Sequence, residues 1–441
     1  MTSIHNYRPI SVLPVFSKIF ERVINDRITV FFKKYHIITP AQYGFQKEKS
    51  AESALIDIKD KIAENIENKL VTLGLFLDLK KAFDTVQHDI LLKKLNIYGI
   101  RGIGLKLIES YLNERYQYVC SNNESSSKMK IKHGVPQGSI LGPLLFLAYI
   151  NDITEITGSP QLVMYADDTN VFFAGETIQI VEILANDYLL KLSKWLETNR
   201  LGLNTSKTKY VIFKPINKRD HSTINITFEG TLLEQATEQK FLGVWFTEDL
   251  SWSTHVNMLK AELSRVTGSI YKVHSLLPTW LKQTLYYSLF YSKISYGILV
   301  WGTTTETNYN KLIILQKKIL RMYENYRGDR RNLSTQPLFN KYNMLKADQV
   351  FYFKLLQLIH RNKLHTTPTY NLSTYNIRNP IRKMPAIRTN YGRQRLNFQI
   401  NKTLNRKDMF VDFHQPFNSF KCACRRMLVT SEIAFSSLLV P

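Results

Sequence analysis

Three aspartates lie where apolar, strand-forming segments end, and carboxylates in such places can hold metal ions. Asp167 and Asp168 are adjacent at the predicted turn of an apolar hairpin, LVMYADDTNVFF, over residues 162–173. Adjacent carboxylates raise each other's pKa unless a cation lies between them. Asp78 closes a second apolar strand, predicted over residues 70–79, where an ionised carboxylate is costly unless it is compensated.

The chemistry depends on whether these two segments are neighbours. If they lie side by side in one sheet, Asp78, Asp167 and Asp168 converge at its edge. Three carboxylates in one place favour hard divalent cations, and Mg²⁺ typically takes one or two protein carboxylates plus substrate phosphates. Two such ions about 4 Å apart serve phosphoryl transfer in polymerases and nucleases. For either stretch taken alone, turn-capping or solvated acids would be the favoured interpretation.

The composition indicates a globular protein that binds a polyanion. Hydrophobic residues make up 44% and charged residues 22% of the 441 residues, and the formal net charge is +23. A chain of this length holds about two to four domains. The charge is concentrated in residues 306–441, where 24 Lys and Arg stand against 7 Asp and Glu, and this favours nucleic acid as the partner. Three Cys residues cannot form a disulfide framework, which suits a reducing, intracellular compartment.

Hydrophobic periodicity predicts the elements that position the carboxylates. Apolar residues at helical spacing predict helices over 51–68, from residue 80 to about Leu95, over 178–200 and from Val256 to about 277. Short apolar runs predict strands over 70–79, in the 162–173 hairpin, in YVIF and in FLGVWF at 241–246. The run 285–301 is too short to span a bilayer comfortably and contains Lys293, so it predicts a core helix and no membrane partner.

Seven stretches in a fixed order carry a resemblance to a known family. They are NYRPISVLPVFSKIFE, QYGFQKEKSAESAL, LFLDLKKAFDTV, GVPQGSILGPLLF, YADD, LNTSKTKYVIF and FLGV. Together they resemble the reverse transcriptases of non-LTR (LINE-type) retrotransposons, in particular those of the jockey-like elements of arthropods. The resemblance covers roughly residues 5–330, with a weaker family-like tail at RTNYGRQRLNF.

The resemblance implies an α+β fold and a reaction. The fold is a right-hand polymerase with fingers, palm and thumb and an antiparallel palm sheet, followed by a basic, mostly helical C-terminal region. The implied parts are partial fingers over 1–70, the palm with the remaining fingers elements over 71–250, a helical thumb over 251–330 and a nucleic-acid-binding region over 331–441, with the reverse transcriptase domain spanning about 5–250. The reaction is RNA-directed DNA synthesis, in which a primer 3′-hydroxyl attacks the α-phosphate of a deoxynucleotide.

The resemblance also assigns roles to the carboxylates and to one aromatic residue. Asp78 and Asp167 would bridge two Mg²⁺ ions, with Mn²⁺ able to substitute, and Asp168 would lie further from the metals. Phe83 matches the bulky residue that excludes a ribose 2′-hydroxyl, which favours deoxynucleotides; an ordinary core Phe is the alternative.

Other matched positions are predicted to contact substrate or nucleic acid. Gln137 and Gly138 would lie beside the templating base and the incoming nucleotide, and a simple loop-to-helix turn is the alternative. Lys207 matches the lysine that protonates the leaving pyrophosphate, although an exposed surface lysine fits as well. Further candidates are Arg8, Lys18 and Lys47 for the triphosphate, Phe241, Leu242 and Gly243 for the primer grip, and Arg330, Arg331, Arg382, Lys383, Arg425 and Arg426 for nucleic acid.

The sequence departs from the family pattern in ways that keep two interpretations open. Gln46 stands where the family usually has Arg, which removes one candidate triphosphate contact. The chain begins almost at the first matching stretch and carries no upstream endonuclease, so we expect a truncated copy. One interpretation is therefore an active RNA-directed DNA polymerase. The other is a nucleic-acid-binding remnant that keeps the fold without turnover.

If the chain is an active polymerase, its partners are those of RNA-directed DNA synthesis. They are an RNA template, a DNA primer or target and deoxynucleoside triphosphates, in an intracellular ribonucleoprotein of the nucleus or cytoplasm. Residues 306–441 would supply much of the sequence-independent grip through phosphate contacts; solvated helix faces packed on the thumb are the alternative. The sequence does not determine the oligomeric state.

Overall fold

The computed structural model describes residues 10–113, 115–121, 124–156, 160–215, 224–326, 328–329, 333–366, 382–406, 408–409 and 411–430. The chain divides into two compact units. The first unit consists of Met1–Ala54, Val71–Ile212 and Lys218–Ala236, and the second of Leu55–Leu70, Phe213–Asn217 and Thr237–Pro441. The predicted division into fingers, palm, thumb and C-terminal region stays a prediction.

The first half of the chain combines helices with one larger sheet and short hairpins. Its helices are α1 Val15–Lys34, α2 Ala51–Glu67, α3 Ala82–Thr85, α4 His88–Ile97, α5 Gly102–Leu112, α6 Gly142–Ile150 and α7 Ile178–Thr198, with a 3₁₀ turn at Asn151–Glu155. Its strands are β1 Val71–Leu77, β2 Tyr116–Gln117, β3 Cys120–Ser121, β4 Glu124–Ser125, β5 Met129–Lys130, β6 Gln161–Tyr165, β7 Asp168–Gly175, β8 Lys209–Phe213, β9 Thr227–Phe228, β10 Thr231–Leu232 and β11 Glu234–Gln235.

The main sheet has the order β11-β8-β1-β7-β6. All seven residues of β1 are buried, as expected for a continuous apolar run covered on both faces. β1 pairs with β7, and β7 with β6, in antiparallel fashion, which agrees with the predicted palm sheet. The edge pair β8–β11 is parallel, so the sheet is mixed rather than wholly antiparallel. The long connection after β8, which includes the β9–β10 hairpin, allows the crossover that a parallel pair requires.

Two helices cover the core of the first unit. α7 matches the helix predicted over 178–200, and its buried residues recur on one face, among them Val181, Ala185 and Leu192. α6 is buried at every position except Pro143 because its sequence, GPLLFLAYI, is apolar on every face. The predictions of a helix at 51–68 and of strands at 70–79, 162–173 and YVIF are confirmed within a few residues.

The second unit is mostly helical. It contains the larger part of α2, the hairpin strands β12 Glu238–Phe241 and β13 Val244–Thr247, and the helices α8 Ser253–Val273, α9 Thr279–Leu285, α10 Ser292–Ser295, α11 Ile298–Trp301, α12 Glu306–Tyr323, α13 Gln336–Lys341, α14 Ala347–Arg361, α15 Asn390–Gln394, α16 Leu396–Leu404 and α17 Phe417–Thr430. A π-helical turn spans Tyr286–Tyr291, and 3₁₀ turns lie at His274–Leu276 and Leu364–Thr366.

Three sequence predictions for the second unit are corrected. The run 285–301 is not one core helix, because a π-helical turn interrupts it and the chain breaks at Gly297, which has φ 60°. The helix predicted from Val256 to about 277 ends at Val273. A 3₁₀ turn follows, and Leu277 is extended, which is the backbone conformation that a residue before a proline favours. In addition, FLGVWF forms a hairpin turn between two strands rather than one strand.

Residues 382–406, here called the clasp, are joined to α2 by buried hydrogen bonds. The Lys59 side chain is fully buried and its Nζ donates to the carbonyl oxygen of Gln394 at 2.8 Å. The Asp60 carboxylate accepts the backbone N–H of Leu396 at 3.0 Å. The family-like tail noticed in the sequence is therefore part of the folded core of the second unit.

The Gln394 side chain links the clasp to two further segments. Its Oε1 accepts hydrogen bonds from Trp252 Nε1 at 2.8 Å and from Thr303 Oγ1 at 3.4 Å. Gln394 itself is buried, and Trp252 is among the largest fully buried side chains. Loss of this amide would leave a buried indole N–H without its acceptor.

We predict that Gln394→Ala lowers the free energy of unfolding of the full chain by about 1–3 kcal/mol, the cost of unpairing buried donors. Urea denaturation followed by tryptophan fluorescence measures this loss. Asn390→Ala, at an exposed position of the same clasp, is the matched control and should leave the midpoint within error. Equal midpoints for both variants would contradict the structural role of the Gln394 amide.

Candidate active site

The pairing of β1 with β7 brings two of the predicted carboxylates to the same end of the sheet. Leu77 pairs with Thr169 in the antiparallel ladder. Asp78 follows Leu77 and Asp168 precedes Thr169, so the two aspartates are opposed just beyond the last pair. Asp167 lies next to them in the β6–β7 turn. The two segments are thus neighbours, as the sequence argument required, while metal ligation by these residues stays a prediction.

The turn that carries Asp167 is strained and held by a buried glutamine. Ala166 has φ 56°, a left-handed conformation that costs free energy for a residue with a Cβ. Gln42 Oε1 accepts the backbone N–H of Ala166 at 3.0 Å and that of Gly44 at 2.8 Å. A Cβ on Gly44 would lie 2.4 Å from the nitrogen of Ala166, so only glycine allows this approach. The Gln42 amide therefore fixes the position of the turn.

Asp78 is held by residues of the stretch LNTSKTK. Asn204 Nδ2 donates to Asp78 Oδ2 at 2.9 Å, and its backbone N–H donates to the Asp78 carbonyl oxygen at 2.8 Å. The hydroxyl of Thr208 accepts the backbone N–H of Asp78 at 3.2 Å. One carboxylate oxygen is thereby oriented by the protein, and the half-buried side chain has a fixed direction.

The predicted nucleotide loop packs directly on α3. Gln137 Nε2 donates to Asp84 Oδ1 at 2.8 Å, and the Phe83 carbonyl oxygen accepts the N–H of Val135 at 2.9 Å. The half-buried Phe83 ring stacks on Phe146 with centroids 4.2 Å apart. The structure therefore brings Phe83 and Gln137 to the same place, where Phe83 is both a core contact and partly accessible.

Two features shape the rest of this loop. Gly138 has φ 105°, and a Cβ there would lie 2.9 Å from the carbonyl oxygen of Ser11, so this position requires glycine. The buried Glu21 carboxylate accepts the backbone N–H of Ile140 at 2.7 Å and that of Leu141 at 3.3 Å. An anion at this point suits the N-terminal end of α6, which follows.

Three residues that hold the candidate site were not predicted, although they lie within the matched stretches of the sequence: Glu21, Gln42 and Asn204. Each is a polar residue beside apolar ones within a matched motif. Buried polar groups in proteins are hydrogen-bonded, so such positions signal that a backbone segment is being held. Which segment is held could not be deduced without the fold.

The predicted cationic candidates of the first unit are exposed. Lys207 lies in the turn after Asn204, Lys18 on α1 and Lys47 in the loop after α1. Of these, Lys207 is close in sequence to the residue that orients Asp78. Arg8 lies outside the described residues.

The predicted primer grip forms the tip of the β12–β13 hairpin in the second unit. Phe241 is buried, whereas Leu242 and Gly243 form the turn with φ 42° and 84°. Tyr296 donates its hydroxyl hydrogen to the Leu242 carbonyl oxygen at 2.6 Å. Beside the hairpin lies a cavity of about 510 Å³, whose lining includes three cationic residues, Lys240, Arg265 and Lys293.

His255 lines the same cavity and is uncharged at neutral pH. Burial and the neighbouring Lys240 lower the pKa of His255 to about 4. Its ring packs near Trp301, with centroids 5.5 Å apart. The charges of this cavity are therefore those of Lys240, Arg265 and Lys293 and of the Glu262 carboxylate, which pairs with Lys293.

The predicted nucleic-acid contacts of the C-terminal region divide into internal and exposed residues. Arg382 donates to the Leu364 carbonyl oxygen at 3.1 Å, and Arg425 donates to the Tyr287 hydroxyl at 2.8 Å. Lys383 and Arg426 are exposed. Arg330 and Arg331 lie outside the described residues.

Whether the carboxylates fit a divalent cation depends on the kind and number of their oxygen donors. Among the residues that the structure describes, no group of three or more His, Cys, Asp or Glu side chains is arranged to hold a metal ion. A hard divalent cation in a phosphoryl-transfer site needs only one or two protein carboxylates, because water and substrate phosphates complete its shell. Asp78 and Asp167 supply that kind of oxygen donor, so the residues present fit such a cation.

The family model described as "Reverse transcriptase (RNA-dependent DNA polymerase)" matches residues 2–246. The chain belongs to this family. Reverse transcriptases have the right-hand polymerase fold, which is an α+β fold, and use divalent metal ions. The matched region contains the carboxylate turn, the Gln137 loop and the Asn204 segment.

Individual reverse transcriptases of fruit-fly elements are similar to this one. The RNA-directed DNA polymerase from mobile element jockey of Drosophila melanogaster is 31% identical over 330 residues, covering 73% of this chain and 36% of that protein. The probable RNA-directed DNA polymerase from transposon X-element of the same species is 29% identical, covering 72% and 35%. This reverse transcriptase family member thus spans about a third of the length of these relatives.

Among solved structures, apo telomerase from Candida tropicalis is similar to this chain. Its TM-score is 0.38 at 12% identity, covering 80% of this chain and 60% of that one. In the part of our reverse transcriptase chain that the structure describes, every helix is too short or too polar to serve as a membrane span.

We predict that Gln42→Ala speeds amide hydrogen exchange at Ala166 and Gly44 by between about twofold and tenfold. The reason is that the net contribution of one hydrogen bond to stability is about 0.5–1.5 kcal/mol. Exchange followed by mass spectrometry or NMR measures this directly. Gln46→Ala, in the same loop, is the control. Unchanged exchange at Ala166 would mean that the turn is held without the Gln42 amide.

Proposed function

We propose that this chain is the polymerase part of a non-LTR retrotransposon reverse transcriptase. It extends a primer 3′-hydroxyl with deoxynucleotides on an RNA template, and it uses Mg²⁺. The observation that carries the proposal is the opposition of Asp78 and Asp168 at one sheet end, with Asp167 in the adjoining turn. The proposed setting is an intracellular ribonucleoprotein with RNA template and DNA primer or target as partners.

Asp78 and Asp167 are the residues that would hold the metal. When bound, two Mg²⁺ ions would activate the attacking hydroxyl and stabilise the leaving oxygen. Asn204 keeps Asp78 Oδ2 oriented, and Gln42 keeps the Asp167 turn in place. Preorganised oxygens need no rearrangement when the substrate arrives, which is the main way proteins favour a charged transition state.

The remaining groups bind and discriminate the nucleotide. Gln137 and Gly138 form the surface beside the nucleotide, and the accessible part of Phe83 contacts the sugar. The primer hydroxyl loses its proton to water, its oxygen bonds to the α-phosphorus, and the bond from that phosphorus to the leaving oxygen of pyrophosphate breaks. Lys207 donates the proton that pyrophosphate takes up on leaving.

Gln46 favours a second candidate, a binding remnant with weak turnover. It lies in a cavity of about 560 Å³ together with Lys33, Lys47 and Lys49. Lys49 Nζ donates to the Gln42 carbonyl oxygen at 3.1 Å and therefore serves the loop itself. Loss of the usual arginine leaves fewer cations for a triphosphate, which would lower turnover while leaving RNA binding intact.

We expect Asp78→Asn or Asp167→Asn to reduce primer extension on a homopolymeric RNA template by at least about a hundredfold, since a neutral amide cannot supply the charge that holds two cations. Asp89→Asn, an exposed aspartate on α4, is the matched control and should extend normally. RNA binding and thermal denaturation should be unchanged in all three variants. Substantial extension by either site variant would refute the metal assignment, and no extension by the unaltered chain would favour the remnant.

A second expected result concerns sugar selection. Phe83→Val should raise ribonucleotide incorporation relative to deoxynucleotide incorporation by about tenfold or more, because contacts of this size discriminate substrates about 10- to 200-fold. Phe83→Tyr keeps the ring and is the control. The measurement is the ratio of kcat/KM for the two nucleotides, with denaturation midpoints alongside because Phe83 stacks on Phe146. An unchanged ratio in a folded Phe83→Val variant would leave Phe83 as a core residue only.

A further inference from the structure

A two-stranded ribbon projects from the first unit just before the nucleotide loop. It is defined here as residues 115–121 and 124–133 and is called the ribbon. Tyr116 pairs with Lys130 and Gln117 with Met129, while further along Cys120 pairs with Ser125. The described residues of the ribbon are exposed almost throughout, including Met129 at 67%.

One face of the ribbon combines tyrosines with lysines. Tyr116 and Lys130 are directly opposed, so their side chains share a face. Side chains two positions apart on an extended strand also share a face, which adds Tyr118 and Lys132. Lys128 lies beside this face, where the pairing register shifts by one residue between the two ladders of the ribbon. Tyr116 and Tyr118 are 60% and 54% exposed, although large aromatic side chains usually lie inside or in an interface.

Among the described residues, the three lysine ammonium groups and the two tyrosine hydroxyls make no hydrogen bond or ion pair. Glu124 is the single acidic residue in the sequence from 115 to 133, against Arg115 and the three lysines. The face therefore has uncompensated positive charge and two accessible aromatic rings.

This combination matches one kind of partner. Phosphates neutralise lysines, and unpaired bases stack on tyrosine rings, so a single-stranded nucleic acid uses both features. A duplex offers phosphates but keeps its bases paired. An acidic protein segment would use the lysines alone.

The root of the ribbon lies at the proposed nucleotide site. Gly134 donates its backbone N–H to the Val86 carbonyl oxygen at 2.7 Å, and its own carbonyl oxygen is 2.8 Å from His88 Nε2. The chain then continues directly into the loop that holds Gln137 and Gly138. A strand bound to the ribbon would therefore be close to the place where a template base is copied.

We propose that the tyrosine–lysine face of the ribbon binds the unpaired RNA template ahead of the nucleotide site. This inference rests on the proposed function for the identity of the strand as template. The binding itself follows from the ribbon's positive charge, from the exposure of its side chains and from the placement of tyrosines and lysines on one face.

The test is binding of a fluorescent, unstructured single-stranded RNA of about 20 nucleotides, measured by anisotropy over a range of salt concentrations. The lysine variant is K128Q/K130Q/K132Q and the tyrosine variant is Y116L/Y118L. The control is K93Q/K106Q/K194Q, which removes the same charge from three exposed lysines elsewhere in the first unit. All are made in the full chain, and circular dichroism confirms folding.

Each lost phosphate contact lowers the salt slope by about 0.7 for a single strand, so the lysine variant should flatten log K against log salt by about 2. The tyrosine variant should weaken binding by about thirtyfold or more, which is about fivefold or more for each lost stacking ring, with an unchanged slope. The control should keep the RNA affinity and the salt slope closer to those of the unaltered chain than the ribbon variants do. Neither ribbon variant should change the binding of a blunt duplex.

Three outcomes would overturn the inference. The first is equal RNA binding by the ribbon variants and the control variant. The second is an equal loss of duplex binding and of single-strand binding in the ribbon variants. The third is competition by polyglutamate that is equally strong for the unaltered chain and for the tyrosine variant. Primer extension by the unaltered chain is measured in parallel. If the unaltered chain extends primers but the ribbon variants bind RNA normally, the inference about the ribbon alone is refuted. If the ribbon variants lose RNA binding but the unaltered chain extends no primer, the polymerase function alone is refuted.

Discussion

The hydrogen-bonded register between β1 and β7 decides which residues meet at the end of the sheet that carries the three aspartates. Alternate residues of a strand face opposite sides, so a shift of one position would turn the buried set outward. Leu73, Leu75 and Leu77 are buried in β1, which makes such a shift costly. Because the register is fixed, Asp78 and Asp168 are opposed. Every role assigned to the carboxylates depends on that opposition.

The carboxylates are held by polar residues that are themselves buried or half-buried. A buried amide is costly unless it is hydrogen-bonded, and Gln42 uses one oxygen to satisfy two backbone donors. It thereby stabilises the left-handed conformation of Ala166. The Glu21 carboxylate likewise accepts two backbone N–H groups, those of the residues that lead into α6. In each case the side chain stabilises backbone, and the backbone carries the residue of interest.

The C-terminal region shows how net charge can mislead. Arg388 donates to the Glu67 carbonyl oxygen at 3.0 Å, and Arg395 pairs with Glu64 at 2.9 Å. Arg425 lies against Tyr287, whose ring centroid is 5.4 Å away. Several arginines counted toward a nucleic-acid surface therefore hold the second unit together. The ribbon belongs to residues 1–305, whose net charge is only +6 of the total of +23, because residues 306–441 carry +17. Its exposed lysines are nevertheless the ones that are freer to bind a polyanion.

The sequence by itself determined the family, the positions of the main strands and helices and the three candidate carboxylates. Those features follow from local patterns: apolar periodicity, acids at strand ends and the order of short motifs. Tertiary structure alone decided that Gln42 and Asn204 hold the site, that the sheet has a parallel edge and that 285–301 breaks at Gly297. It also separated internal arginines from exposed ones. These features depend on contacts between residues far apart in sequence, and no local pattern records which distant group a polar side chain will meet.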